Sequence, residues 1–248
     1  MHLSFKKSQF MAFAHRGGTE FAPENTYEAF SAAVEIGYKY LETDVHPNAD
    51  EKLMAFHDST LDRVTNYIGK IRNFTSQELK KIRVNDRFQI PFLEDLLDSF
   101  SQNYFSIDMK SDESVRPLIK VVKKMNAIDR VCFASFNQQR LDYVREEFNN
   151  KCITSMGPKE IIKTKLCSIF NIKQSVLPLI SSLPIKRYKI GLLNKRHIDF
   201  LKSLNIKVIA WTINDVNEIN RLIDLGVDGI MTDNISVLKE ILVKKNLW

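Results

Sequence analysis

Three cysteines, eight glycines and seven prolines are few for 248 residues, and no long apolar run or block of like charge accompanies them. Cys132, Cys152 and Cys167 are odd in number, widely spaced and set among apolar neighbours. That pattern excludes a disulfide framework and a cysteine-rich zinc site, and it points to reduced core thiols in a reducing compartment. No segment approaches the roughly 18 apolar residues of a membrane span. The apolar run at residues 10–14, behind Lys6 and Lys7, is too short for the core of a signal peptide, so the expected location is cytoplasmic. The chain also lacks a repeat of fixed period and a Gly-, Ser- or Pro-rich linker, so one domain over residues 1–248 is expected.

What is present is ordinary for a globular protein: 44% hydrophobic and 27% charged residues, enough for a packed core. The net charge of +6 is spread over separate pairs such as Lys80/Lys81, Lys123/Lys124 and Lys244/Lys245. Dispersed pairs read as solvated helix faces rather than a nucleic-acid groove, and no basic amphipathic helix or spanning segment ties the chain to a membrane.

Along the chain, short apolar runs end in polar residues and are followed by amphipathic helices. In "NTYEAFSAAVEIG" Ala29, Phe30, Ala33 and Val34 share a helical face, with Asn25 placed as the N-cap and Gly37 as the stop. "YFSIDMK", "RVCFASF", "CITSMG", "IKVIAWTIN" and "DGIMTD" continue the alternation, and a doubtful strand is placed near "RYKIGLL". Strands alternating with helices imply a parallel sheet, either an open doubly wound one or a closed TIM (β/α)₈ barrel. The polar residues favour the barrel. His15 and Arg16, Glu42, Asp44 and His46, Asp108 and Lys110, Trp211, and Asp233 all fall at strand ends, which a barrel gathers at one mouth.

In "LETDVH" the period of two puts Glu42, Asp44 and His46 on one face, and in "IDMK" it pairs Asp108 with Lys110. Carboxylates crowded at one mouth repel, and a hard divalent cation (Mg²⁺, Ca²⁺ or Mn²⁺) held by their oxygens relieves the repulsion. With Arg16 and Lys110 beside it, such a site suits an anion, and a phosphodiester meets that requirement. His15 and His57, each next to a charged residue at a strand end, are the candidate proton carriers, one for the nucleophile and one for the leaving alkoxide. His2 and His197 read as surface or core residues. Gly17 and Gly18 permit a tight turn and close approach of an anion.

The order and spacing of "HRG", "PENT", "ETD", "HD" with "TLDR", "IDMK", "WTIND" and "GVDGIMTD" resemble the glycerophosphodiester phosphodiesterases over nearly the whole chain. The resemblance implies a metal-dependent TIM-barrel hydrolase with a small insertion over residues 47–103, releasing glycerol 3-phosphate and an alcohol. Carried onto this sequence, it gives His15 and His57 acid–base roles, Glu42, Asp44 and Asp108 the metal, and Arg16 and Lys110 the phosphate. Many relatives have Glu where this chain has Asp108. Trp211 is either the aromatic at the mouth that touches the substrate or a core residue. His46 falls behind the acids, Asn25 holds the catalytic loop, and Asp228 and Asp233 fix the last strand's loop. The insertion's Leu61, Phe74, Ile82, Phe88 and Phe92 pack it onto the rim, where with Phe136 it selects substrate size. The expected partner is a small glycerophosphodiester; a lysophospholipase D and a silent anion-binding barrel are the alternatives.

Overall fold

The computed structural model describes residues 10–172, 177–187 and 190–248. Eight strands, β1 (Met11–Ala14), β2 (Tyr40–Pro47), β3 (Tyr104–Met109), β4 (Val131–Ala134), β5 (Ile153–Thr154), β6 (Ile180–Pro184), β7 (Lys207–Trp211) and β8 (Gly229–Thr232), pair in parallel in the order 5-4-3-2-1-8-7-6. The seam between β5 and β6 is drawn together by a parallel bridge between Ser155 and Ile180 and by the Met156 amide donating to the Ile180 carbonyl at 2.8 Å. The result is a nearly closed TIM barrel. The strands are followed in turn by α1 (Tyr27–Glu35), α2 (Leu93–Ser99), α3 (Val115–Lys124), α4 (Gln138–Glu147), α5 (Pro158–Phe170), α6 (Lys195–Ser203), α7 (Val216–Leu225) and α8 (Ile235–Lys244).

Two apolar layers follow from the strand alternation. Met11, Phe13, Tyr40, Cys132, Ile153, Ile180, Ile209 and Met231 fill the barrel, whereas Ala12, Ala14, Leu41, Val45, Ile107 and Val208 belong to the larger core shared with the helices. On β2 this leaves Tyr40, Glu42 and Asp44 on the inner face, with the tyrosine among the filling side chains and the acids nearer the mouth. Burial pushes the Cys132 thiol up to about 12, so it packs as a small apolar group. His197 is likewise a core residue, fully buried, with Nδ1 donating to the Leu192 carbonyl at 3.0 Å.

The sixth strand corrects the sequence reading. It is "ISSLP", residues 180–184, not the stretch near "RYKIGLL". Its two serines and flanking prolines hide it as a loop, yet Ser182 belongs at the polar mouth and Pro184 closes the strand end. Of the expected stretch, residues 188–189 lie outside the described residues, and Lys186–Arg187 pairs antiparallel with Ile190–Gly191. His2, Lys6 and Lys7 also lie outside them.

Between β2 and α2, a strand Leu53–Ala55 turns back antiparallel on β2. The segment beyond it builds its own small core from Met54, Phe56, Leu61, Ile71, Leu79, Ile82, Val84 and Ile90, with Phe74, Phe88 and Phe92 packed against it. All five apolar residues singled out from the sequence sit in this cluster. No described helix is long and apolar enough to cross a membrane.

Candidate active site at the barrel mouth

β1 ends at Ala14, and the next three residues make one tight turn in which Arg16 adopts φ 52°, ψ 32° and Gly17 φ 85°. A Cβ on Gly17 would lie 2.9 Å from the Phe30 amide nitrogen, and one on Gly18 would lie 2.7 Å from Ile235 Cγ2. The glycines therefore let the turn wedge between α1 and α8, which holds His15 and Arg16 at the rim. The tight turn expected of them is present, and close packing against the two helices is a further reason for glycine at both positions.

The Arg16 amide donates to Glu42 Oε2 at 3.0 Å. Its guanidinium lies 3.1 Å from Asp44 Oδ2 and donates to Glu24 Oε1 at 2.9 Å. Asp108 is the register partner of Asp44 on the neighbouring strand, and the Lys110 ammonium sits 2.8 Å from a carboxylate oxygen of each. Asn25 departs from expectation: Thr26 is the cap of α1, accepting from the Ala29 amide. Asn25 is left-handed at φ 56°, donates to Asp44 Oδ2 at 3.3 Å, and accepts from Thr43 Oγ1 at 2.8 Å. Its own amide donates to the Arg16 carbonyl. It ties the His15–Gly17 turn to β2, a tertiary duty that overrides local capping.

Each histidine is oriented by a carboxylate. His15 Nδ1 donates to Asp233 Oδ1 at 2.7 Å, leaving Nε2 3.9 Å from Glu42 Oε2. His57 Nδ1 donates to Asp58 Oδ1 at 2.6 Å. Behind His57 runs a chain of ion pairs: Arg63 Nε to Asp58 Oδ2 at 2.5 Å, and the Arg63 fork to both oxygens of Glu24 at 2.6 and 2.9 Å. Glu24 also holds Arg16, so the chain joins the insertion to the β1–α1 loop. His46 donates from Nε2 to the His57 carbonyl at 3.1 Å and braces the same loop from below.

Burial and mutual repulsion set the electrostatics. Desolvation and the neighbouring Asp44 charge push Glu42 up to about 7. Desolvation also raises Asp108, against the pull of Lys110. For Asp44, burial is outweighed by Lys110 and Arg16, and its pKa is lowered. Burial opposes the His15 cation, but the Asp233 hydrogen bond and the Glu42 charge overcome it and raise the pKa.

A cavity of about 150 Å³ is lined by His15, Arg16, Glu42, Asp44, His57, Asp108, Lys110 and Trp211 together. The same cavity is also lined by apolar side chains, among them Phe136, Met156, Ile161 and Leu192. Trp211 lines this cavity while packing on the barrel filling; Phe136 meets it edge-on at 5.6 Å. A wider groove outside Lys110, between the insertion and α3 and α4, contains neither His15 nor His57. Asp228 binds Lys207 and the Val208 amide, away from the mouth.

Among the described residues, no three His, Cys, Asp or Glu side chains are disposed as they stand to hold a metal ion, and the Lys110 ammonium bridges Asp44 and Asp108. The donor set nonetheless fits a hard divalent cation: three buried carboxylates, with Oδ1 of Asp108 making no hydrogen bond. Sequence reasoning missed Glu24 and Arg63 and gave Asp233 only a loop-fixing part. The motifs "PENT" and "TLDR" contain the first two, but nothing local shows that they meet.

The model of the Glycerophosphoryl diester phosphodiesterase family matches residues 15–237. The chain is 31% identical to a glycerophosphodiester phosphodiesterase of Caldanaerobacter subterraneus, over 92% of this chain and 96% of that one. It is 26% identical to human lysophospholipase D GDPD1, over 96% and 88% of the two chains. Among solved structures, a phosphodiesterase of Oleispira antarctica in complex with the product sn-glycerol-3-phosphate superposes with a TM-score of 0.79 at 22% identity, over 94% and 96% of the two chains.

Proposed function

The chain belongs to the glycerophosphoryl diester phosphodiesterase family and is a hydrolase of that class; from that premise we propose that it cleaves small glycerophosphodiesters to glycerol 3-phosphate and an alcohol, with His15 and His57 as the acid–base pair. The observation that carries the proposal is the convergence on one cavity of both histidines, each held by an aspartate, with Arg16 and Lys110. With Nδ1 committed to its aspartate, each ring has Nε2 left for proton transfer. One histidine takes the proton of the attacking hydroxyl, and the other delivers one to the departing alkoxide. Arg16 and Lys110 bind the non-bridging phosphate oxygens, Arg16 as a fork steadied by Glu24 and Asp44.

Glu42, Asp44 and Asp108 are the residues that would hold a divalent cation, Mg²⁺ or Ca²⁺. When bound, the ion supplies Lewis-acid polarisation of the phosphate and offsets the crowded carboxylates. The Oleispira enzyme's product supports the assignment of glycerol 3-phosphate as the released phosphate ester. The test is release of glycerol 3-phosphate from glycerophosphocholine by the purified chain, with and without EDTA, followed by add-back of Mg²⁺ or Ca²⁺. Metal-restored release supports the proposal; a folded protein inactive with either metal overturns it.

The apolar lining of Phe136, Met156, Ile161 and Leu192 favours a second reading, a lysophospholipase D, the activity named for the human relative. Detergent-solubilised lysophosphatidylcholine turned over in preference to glycerophosphocholine would establish it. A silent anion-binding barrel would be expected to have lost part of this constellation, whereas both histidines, Arg16 and Lys110 line one cavity.

A further inference from the structure

The outer wall of the barrel carries an anomaly on α5. The helix buries Ile161, Thr164 and Ser168, a modest and partly polar inner face. Its outward face is the apolar one: Ile162 is 62% exposed, Leu166 53%, Ile169 46% and Phe170 70%. Positions 162, 166, 169 and 170 form one stripe at helical spacing, and exposed Ile172 and Leu177 lie beyond its end. Contiguous exposed apolar side chains of this size mark an interaction surface.

We propose that this face of α5 docks on the surface of a bilayer carrying anionic lipid, a property that goes beyond the hydrolysis and does not rest on it. Charge supports that occupant. At 100° per residue, Lys163 flanks one side of the stripe and Lys165 the other, while Lys159 lies in line with the stripe at its N-terminal end. The helix's one acidic residue, Glu160, is turned away onto Arg145, with contacts of 2.8 and 3.0 Å. Neighbouring α6 adds Arg196, whose guanidinium donates to the Ser168 and Ile169 carbonyls at the end of α5. An apolar stripe with lysines on it and beside it is the arrangement of an interfacial helix, a basic amphipathic helix that the sequence reading does not find and that the exposure of this face brings out: the stripe enters the acyl boundary and the ammonium groups meet lipid phosphates.

A second copy of the chain fits less well. A two-fold contact sets the same patch against itself, bringing the lysines of both copies together with no carboxylate of α5 to answer them. Pro158 and Ile161, in the first turn of the same helix, line the site cavity. Docking along α5, a helix of 13 residues, therefore keeps the mouth within about 20 Å of the lipid surface.

The experiment is co-sedimentation of the full chain with vesicles of equimolar phosphatidylcholine and phosphatidylglycerol, and with pure phosphatidylcholine, at low and high salt. The expected result is binding to the anionic vesicles that weakens at high salt and is at least about tenfold weaker on the neutral ones. An Ile162→Ser/Phe170→Ser double variant should lose binding while retaining its melting temperature and its hydrolysis of a soluble substrate. Neutralising Lys159 and Lys163 to Gln should weaken binding roughly fivefold per lysine. Absence of binding by the parent chain, or equal binding to both vesicles, overturns the proposal. So does a dimer in solution that the Ile162→Ser/Phe170→Ser change dissociates, which would assign the face to a second copy.

Discussion

Replacing Arg63 with Ala removes the link between the insertion and the β1–α1 loop, and its effects on stability and catalysis should separate. The guanidinium joins Asp58, at 2.5 Å, to both oxygens of Glu24, but its side chain is 47% exposed. Exposed ion pairs of this kind contribute about 1 kcal/mol or less, and in a chain of this size such a loss lowers the melting temperature by roughly 2–4 °C. Catalysis has more at stake. Asp58 holds His57 Nδ1 and is itself held by Arg63, so its release lets the imidazole drift. Misplacing a catalytic group by about 1 Å costs up to about 100-fold, equivalent to about 2.7 kcal/mol of transition-state stabilisation. The expected outcome is a 10- to 100-fold lower kcat for glycerol 3-phosphate release, within the range set by misplacement, and a smaller change in KM, because Arg16 keeps Asp44 and Glu24. Added guanidinium ion should restore part of the rate. Arg72→Ala, which breaks the exposed pair with Glu113, is the control and should leave kcat unaltered. A kcat for the Arg63 variant within about twofold of the parent would refute the reasoning.

Three further outcomes follow from the geometry. Asp233→Asn keeps the shape of the His15 partner but presents an amide to Nδ1, so kcat should fall by on the order of 10²-fold or more, with KM little changed, in steady-state assays. His197 is buried as the neutral ring, and burial lowers its pKa below 6.5. Below that pH the unfolded chain takes up a proton that the folded one does not, so stability present above about pH 6.5 is lost as pH falls; His197→Gln should flatten this part of the melting-temperature profile. Gly17→Ala sets a Cβ 2.9 Å from the backbone nitrogen of Phe30 at φ +85°. It should cost at least about 2 kcal/mol in denaturant unfolding, and urea midpoints equal to the parent's would contradict the packing account of this turn.

Local periodicity made much of the fold and site readable. The alternation in "ETD" determines that Glu42 and Asp44 share a face, because side chains on a strand repeat every two residues whatever surrounds them. The strand and helix periods, with polar residues at strand ends, likewise determined the barrel and placed every candidate site residue at its mouth. β6 escaped because its serines and prolines answer to the mouth and the strand end rather than to an apolar period. Asn25 was misread as a cap because its bonds go to Asp44, Thr43 and Arg16 rather than to its own helix.

Only the assembled barrel decided the rest. His15 meets Asp233 across 218 residues of sequence, and Arg63 meets Glu24 across 39. Neither pairing has a local signal, since both depend on where strand ends and an inserted loop come to lie around the mouth. The same holds for α5. Its apolar residues stand on both faces, and a helix does not record which face turns inward. Packing against the barrel chose the face bearing Ile161, Thr164 and Ser168 and turned Ile162, Leu166 and Phe170 outward. The sequence thus determined which polar residues come to the mouth; tertiary contact alone determined what orients them and which surface is left uncovered.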